Sequence, residues 1–189
     1  MATVSYPDVH DSIMQQLFEM LQGGDDLVDE GWSVVIQLLS GVAVSMVSIV
    51  DTPSENPSFG GTENMEILED QNQDIQWAKS SLPMAFSCMK LIVDDFLGNL
   101  PMSVIEHVIT CLSNFSTQVH DINISLTAVE MLWKFVDFIL NNDNRDILAS
   151  VLDVMMTRLL VLSVDLRPEI RNCSLNTLFL AIVSNSELL

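Results

Sequence analysis

The stretch 31-GWSVVIQLLSGVAVSMVSIV-50 has no charged side chain over twenty residues, and it limits what the chain can fold into. About 20 apolar residues suffice to cross a bilayer as a helix. However, small and polar residues recur in it at helical steps and form one stripe: Ser33, Gln37, Ser40, Gly41 and Ser48. Acidic residues flank both ends, and no nearby Lys or Arg supplies a basic interfacial anchor. The pattern favours a helix almost surrounded by other helices, with a membrane span at 31–50 as the alternative.

Apolar residues at helical spacing recur along the rest of the chain, punctuated by Pro, Gly, Asn and Asp. We predict about seven helices, with the third covering roughly 75–97 and divided at Pro83. Residues 51–73 are rich in Pro, Gly, Asn and acids, which predicts a flexible acidic loop. Short links between the later helices predict antiparallel hairpins. Residues 1–189 are therefore predicted to form a single all-α solenoid segment.

Two blocks of sequence match at an offset of 46 residues, 124-ISLTAVEMLWKFV-136 and 170-IRNCSLNTLFLAI-182. A period in the forties is expected of HEAT or armadillo helical hairpins. Each block has a small residue at the same position, Ala128 in the first block and Ser174 in the second, which would let a neighbouring helix approach closely. Asp121 and Asp165 precede the blocks and are predicted helix caps. We assign to the structural repeat Asp121, Ile124, Ala128, Trp133, Asp165, Arg167, Pro168 and Arg171.

The second block is part of the longer segment 165-DLRPEIRNCSLNTLF-179. This segment resembles the HEAT pattern D-x-x-P-x-(V/I)-R, with Asp165, Pro168 and Arg171 at its aspartate, proline and arginine positions. We expect Arg171 to reach an acid or a carbonyl of an adjacent repeat, with Asp165 as a candidate. A solenoid exposes apolar surface at its ends unless polar repeats cap it, and 186-SELL-189 supplies no such cap. We therefore expect the chain to be a fragment of a longer solenoid.

Charge is strongly asymmetric along the chain, whose formal net charge is −19. Residues 1–95 hold sixteen acids and two lysines, a balance of −14. Such a field repels nucleic-acid phosphates and anionic lipid headgroups, so neither is an expected direct partner. We instead predict a contact region for a basic protein partner, with these candidate contacts: Trp77, Asp25, Asp26, Asp29 and Glu30.

The sequence offers no arrangement for catalysis. The three histidines are scattered, and there is no H-E-x-x-H, G-x-S-x-G or lysine-bearing phosphate loop. The three cysteines are widely separated within apolar helical patterns, which favours reduced core residues in a cytosolic protein. We predict a non-enzymatic protein with no catalytic residue, cofactor or metal site.

Several segments together resemble a known family. The block 121-DINISLTAVEMLW-133 followed by Asp137, the block 164-VDLRPEIRNCSLNTLF-179, the Gly31-Trp32 pair and 85-AFSCMKLIVDDFL-97 are similar to signatures of the monensin-sensitivity (Mon-two) family. These are large Golgi and endosomal scaffolds related to BIG-type Arf exchange factors. The match is to a segment of their C-terminal half. Lys134-Phe135-Val136 departs from the family's common Asn-Ile-Ser, and the link from Leu140 to Ile147 is shorter than the family's insertion.

The resemblance implies a non-enzymatic scaffold on the cytoplasmic face of the Golgi, trans-Golgi network and endosomes. It implies protein partners: a Dopey-type scaffold, an Arf-like GTPase and a phospholipid flippase. Peripheral membrane association would come through the full-length protein. The alternative is a fragment of an active BIG-type Arf guanine-nucleotide exchange factor, since the Gly31-Trp32 and 85–97 elements also occur there.

Overall fold

The computed structural model describes residues 7–23, 29–47, 80–140 and 145–184, and every regular element in these ranges is helical. The prediction of an all-α helical solenoid is confirmed. The predicted loop at 51–73 lies outside the described residues. The helices are α1 (Pro7–Gln22), α2 (Asp29–Val47), α3 (80–91), α4 (Met102–Thr117), α5 (Ile122–Leu140), α6 (Arg145–Leu162) and α7 (Pro168–Ser184).

Helix boundaries follow the capping chemistry of the sequence. Asp121 is the N-cap of α5, because its Oδ1 accepts hydrogen bonds from the backbone N–H groups of Asn123 (2.8 Å) and Ile124 (3.2 Å). The N–H of Gly23 donates to the carbonyl of Glu19 (3.0 Å) and closes the last turn of α1. Pro168 is the first residue of α7. Backbone N–H groups in the first turn of a helix have no intrahelical acceptor, so the N–H that proline lacks costs no helical hydrogen bond here.

The prediction that Pro83 divides the third helix is wrong for the described residues, since 80–82 are already helical before it. The Ser87 hydroxyl donates to the Pro83 carbonyl (2.8 Å). The helix instead changes form at its other end, where α3 continues as a π-helical turn, Ile92–Phe96, and a 3₁₀ turn, Leu97–Asn99. The wider turn buries Phe96, whose ring lies 5.3 Å from that of Trp32. Trp32 is a core residue, since it is 3% exposed.

The helices pack as stacked pairs. Contacts join α4 to α5 and α6 to α7 within pairs, and α5 to α7 and α4 to α6 between pairs. Helix α2 packs on the other side of α4. Helix α4 is thus central, and its Phe115 is fully buried with its ring edge on Phe86 at 5.3 Å. One apolar core therefore runs from α2 through α4 and α5 to α7.

Equivalent residues in the first part of the two matched blocks are buried in both. Ile124 and Ile170 are both buried, as are Ala128 and Ser174 at 0% exposure. Leu132 and Leu178 are also buried. Burial at the equivalent helical positions supports the predicted internal repeat over these three pairs. Trp133 is half-buried, whereas its counterpart Phe179 is 65% exposed.

Two matched truncations test the position of this core. Val108 in α4 is 0% exposed and Val34 in α2 is 65% exposed. We expect Val108→Ala to lower the free energy of unfolding by about 2–3 kcal/mol, because it removes buried methyl groups and leaves a cavity. Val34→Ala should change it by less than about 0.5 kcal/mol. Urea denaturation followed by circular dichroism measures both, and equal effects of the two substitutions would contradict the described packing.

Candidate functional site

A polar junction joins the α4–α5 pair to the α6–α7 pair. It consists of Arg167 and Asp165 from the α6–α7 link and Ser116, Gln118 and Ser125 from the end of α4 and the start of α5. Arg167 Nη2 donates to the carbonyl of Ser116 (2.9 Å), and its Nη1 donates to the carbonyl of Gln118 (2.6 Å) and to Ser125 Oγ (3.3 Å). Helix ends leave backbone carbonyls without intrahelical partners. One guanidinium thus satisfies carbonyls at the end of α4.

The guanidinium is itself held by a carboxylate. Arg167 Nε donates to Asp165 Oδ1 (2.9 Å) and its Nη2 to Oδ2 (2.8 Å), which is a two-point ion pair. Burial alone would raise the pKa of Asp165, but the hydrogen bonds and charge of Arg167, with the charge of Arg171, lower it below its ordinary value. The carboxylate therefore stays ionised, and the ion pair contributes stability above the ordinary aspartate pKa that is lost as pH falls through the lowered one.

Asp165 does not play the role predicted for it. It lies three positions before Pro168, and its Oδ1 accepts from the N–H of Arg167 (2.9 Å), so it organises the link instead of capping the first turn of α7. The prediction for Arg171 is confirmed in its partner, because its Nη1 donates to the Asp165 carbonyl (3.0 Å). It is wrong in its reach, because this carbonyl belongs to the same repeat and not to an adjacent one.

Gln118 completes the junction and was not predicted. It is 0% exposed, and its Nε2 donates to the Asp121 carbonyl (2.6 Å) and Ser125 Oγ (2.8 Å). Its Oε1 accepts from the N–H groups of His120 (2.8 Å) and Asp121 (3.0 Å). A buried amide with its donors and acceptor engaged rigidifies its surroundings. The available signal was a long polar side chain three residues before a helix cap, inside a very short link.

The candidate acidic contacts are only partly placed. Asp29 and Glu30 form the first turn of α2, and the Glu30 side chain is exposed as a solvated contact requires. Acids at this position also interact favourably with the helix dipole. Trp77, Asp25 and Asp26 lie outside the described residues. Of the five, only the Glu30 side chain is described, and Glu30 is not among the residues of the junction around Arg167.

Three residues of the predicted polar stripe of α2, Ser33, Gln37 and Ser40, line a shallow groove against α4. Gly41 is not in its lining, and Ser48 lies outside the described residues. The volume of the groove is about 150 Å³, below the range typical of small-molecule pockets. Asn114 Nδ2 donates to Ser40 Oγ (3.0 Å) and ties the two helices together beside it. The groove is lined by Ser33, Ile36, Gln37, Ser40, His107 and Thr110.

The cysteines sit as core residues. Cys88 and Cys111 are fully buried, and Cys173 is half-buried. Burial raises the pKa of Cys88 to about 11 and also raises that of Cys111. For Cys173, burial and then the negative charge of Glu130 raise the pKa. Since the thiolate is the reactive form, these thiols are poor nucleophiles at neutral pH.

Metal binding and membrane insertion depend on two further properties of the described residues. Within 7–23, 29–47, 80–140 and 145–184, no group of three or more His, Cys, Asp or Glu side chains is placed to hold a metal ion. None of the helices in the part of the chain that the structure describes has the length and apolarity of a membrane span.

The chain is similar to proteins named MON2. It is 28% identical to the Protein MON2 homolog of Drosophila melanogaster over 76% of this chain and 10% of that protein. It is 27% identical to Protein MON2 of Saccharomyces cerevisiae over 70% of this chain and 8% of that protein. The human Protein MON2 homolog is 22% identical over 73% of this chain and 6% of its own length. The chain thus spans a tenth or less of these relatives.

No protein-family model matches the chain. No solved structure matches it either. The similarity to MON2 proteins supports the resemblance that the sequence motifs indicated. The relationship to BIG-type exchange factors and the assignment to a C-terminal half remain predictions.

Arg167 offers a direct test of the junction. Arg167→Ala leaves partly buried carbonyls of Ser116 and Gln118 without their donor, so we expect a loss of about 2–4 kcal/mol in the free energy of unfolding. Arg167→Lys should recover little of this, because an ammonium cannot reproduce the planar fork. Chemical denaturation at pH 7 measures both losses.

The control is the ion pair between Lys134 and Asp94, whose side chains are 48% and 32% exposed. Lys134→Ala should cost at most about 1 kcal/mol, since solvent screens exposed pairs. The Arg167→Ala loss should also shrink below pH 4, as protonation of Asp165 weakens the ion pair in the wild type. A loss for Arg167→Ala no larger than that for Lys134→Ala would refute the assigned role.

Proposed function

We propose that this chain is a helical-repeat segment of a non-enzymatic scaffold of the MON2 type, acting in vesicle-mediated transport between endosomes and the trans-Golgi network. The observation that carries the proposal is similarity to MON2 proteins over about three quarters of the chain. The family-like blocks at 121–133 and 164–179 correspond to α5 and to the α6–α7 link with α7. They supply the N-cap of α5 and the Arg167–Asp165 ion pair.

The mechanism we infer is surface presentation. Stacked helix pairs bury one face of each helix and leave the other faces in a fixed spatial arrangement on which proteins can dock. The junction around Arg167 keeps two successive pairs at one mutual orientation. The chain needs no reactive group for this role. Its location would be the cytoplasmic face of Golgi and endosomal membranes, reached through a full-length protein.

The proposed partners are proteins: a Dopey-type scaffold, an Arf-like GTPase and a phospholipid flippase. The family resemblance supports them, and the charge distribution adds a physical criterion. With a balance of −14 in residues 1–95, this half of the chain attracts a partner with a basic surface and steers its approach.

A chimera tests the proposed function. The matching segment of Saccharomyces cerevisiae MON2 is replaced by this 189-residue chain and expressed in a strain lacking MON2. We expect the chimera to restore growth on monensin and to localise to the trans-Golgi network and endosomes. A MON2 from which the segment is deleted should do neither.

An unrelated all-α domain of similar length, inserted at the same place, is the matched control. It keeps the spacing of the flanking regions but not the surface of this chain. A chimera that is stably expressed yet behaves like this control would reject the proposal.

The acidic contact region can be tested by neutralisation. Replacing Asp25, Asp26, Asp29 and Glu30 by their amides removes four negative charges, and we expect about tenfold weaker binding to the basic partner at low salt. Surface plasmon resonance with each purified partner class measures the change.

The control variant replaces four exposed acids elsewhere, with the same change in net charge: Asp95, Glu106, Asp153 and Glu169. Equal weakening by both variants would show a general charge effect and no local contact. Unchanged binding by the first variant at low salt would rule the contact region out.

A further inference from the structure

Helix α5 has neighbours on three sides. Helices α4 and α7 pack against it, and Lys134 on α5 donates to Asp94 in the π-helical turn that follows α3. On the remaining side, which we call the outward face of α5, lie Glu130, Trp133 and Asp137. Repeats added at either end of a solenoid stack on its terminal helices and leave such a side open. The exposure of this face therefore does not depend on where the chain begins or ends.

The outward face of α5 places one indole ring between two carboxylates. Trp133 is half-buried and packs against the apolar core, while Glu130 and Asp137 are exposed. Residues three and four apart on a helix are surface neighbours, so Glu130 lies one turn before the tryptophan and Asp137 one turn after it. The face of an indole ring attracts cations, and carboxylates beside it add to the attraction. This combination suits an arginine, because a guanidinium stacks on aromatic rings and donates to carboxylates.

Helix formation does not call for these two acids. At the offset of 46 residues, Glu130 and Asp137 of α5 correspond to Asn176 and Val183 of α7, which are uncharged. The same positions of the repeat therefore accept neutral side chains. Asp137 also lies in the last turn of α5, where a carboxylate interacts unfavourably with the helix dipole. A cation bound at this end of the helix would instead be favourable.

The cations of the chain leave this face negative. Lys134, next to the tryptophan in sequence, pairs with Asp94 of the π-helical turn. Glu130 forms no ion pair within the part of the chain that the structure describes. Its charge reaches the boundary with α7, because after burial it is the next cause of the raised pKa of Cys173. The net charge of −19 on the whole chain adds a long-range attraction for basic partners.

We propose that the outward face of α5 is a docking site for a basic protein segment, with an arginine guanidinium held against Trp133 between Glu130 and Asp137. The site is separate from the acidic contact region at 25–30, which lies at the start of α2. The inference rests on the packing of α5 and not on the transport role, so each can fail without the other.

A titration of the whole ¹⁵N-labelled chain with the peptide acetyl-Gly-Arg-Gly-Arg-Gly-amide, followed by nuclear magnetic resonance, is the test. The indole N–H signal of Trp133, assigned by its loss in Trp133→Leu, should shift in a saturable way. The signal of Trp32, which is 3% exposed, should stay in place. The same peptide with citrulline for arginine keeps the shape but not the charge, so it should bind at least about tenfold more weakly.

Two substitutions test the roles of the ring and the carboxylate. Trp133→Leu should raise the dissociation constant of the arginine peptide about three- to tenfold, read from the backbone amide signals of α5. Glu130→Gln should raise it about three- to fivefold, because one flanking charge is lost. Circular dichroism should show unchanged helicity in both, and Glu130→Gln decides the matter if Trp133→Leu unfolds.

Glu106→Gln is the matched control, since Glu106 is an exposed acid on α4 and the change in net charge is the same. It should leave the dissociation constant within about twofold of the wild type. Three results would each overturn the proposal: a Trp133 signal that does not move, a citrulline peptide that binds as tightly, or equal weakening by Glu106→Gln and Glu130→Gln.

Discussion

Helix α4 is apolar over a stripe too wide for one neighbour to cover, and the packing of the described helices depends on how that stripe is hidden. Helix α4 shows the solution most fully, because it packs against α2, α5 and α6 at once. Phe115, Val108 and Leu112 on α4 are each 0% exposed as a result. Stacking of pairs is what makes such coverage possible, since an isolated hairpin leaves the outer side of both its helices in water.

Apolar packing alone does not fix the orientation of one helix pair on the next, because apolar faces tolerate sliding and rotation. The hydrogen bonds around Arg167 are directional and specify one arrangement. They use carbonyls at the end of α4, a carboxylate in the α6–α7 link and the buried amide of Gln118. A half-satisfied network in this position would be costly, so the junction forms as a unit or not at all.

The arrangement separates two kinds of surface. The amino-terminal part is strongly acidic, and the α6–α7 end is neutral and apolar. In the scaffold role proposed for this chain, a charged surface would govern the rate and choice of partner, while an apolar one would give lasting contact. The thiols of Cys88 and Cys111 are buried and kept protonated, and the groove beside α2 is small.

The amino-acid sequence by itself determined the helical class, the start of α5 at Asp121 and the matched blocks, because periodicity and aspartate caps act within a few residues of one another. It also indicated the polar stripe of α2. It did not reveal that Gln118 would be buried or that Arg167 would cross to the carbonyl of Ser116, which is 51 residues away. It placed Asp165 as a helix cap, whereas the fold uses it to hold an arginine. It aligned Trp133 with Phe179, yet their exposures differ widely. The spatial order of the helices decides which distant residues form hydrogen bonds with each other. It also decides which of two equivalent apolar faces is covered. Only the tertiary structure fixes that order.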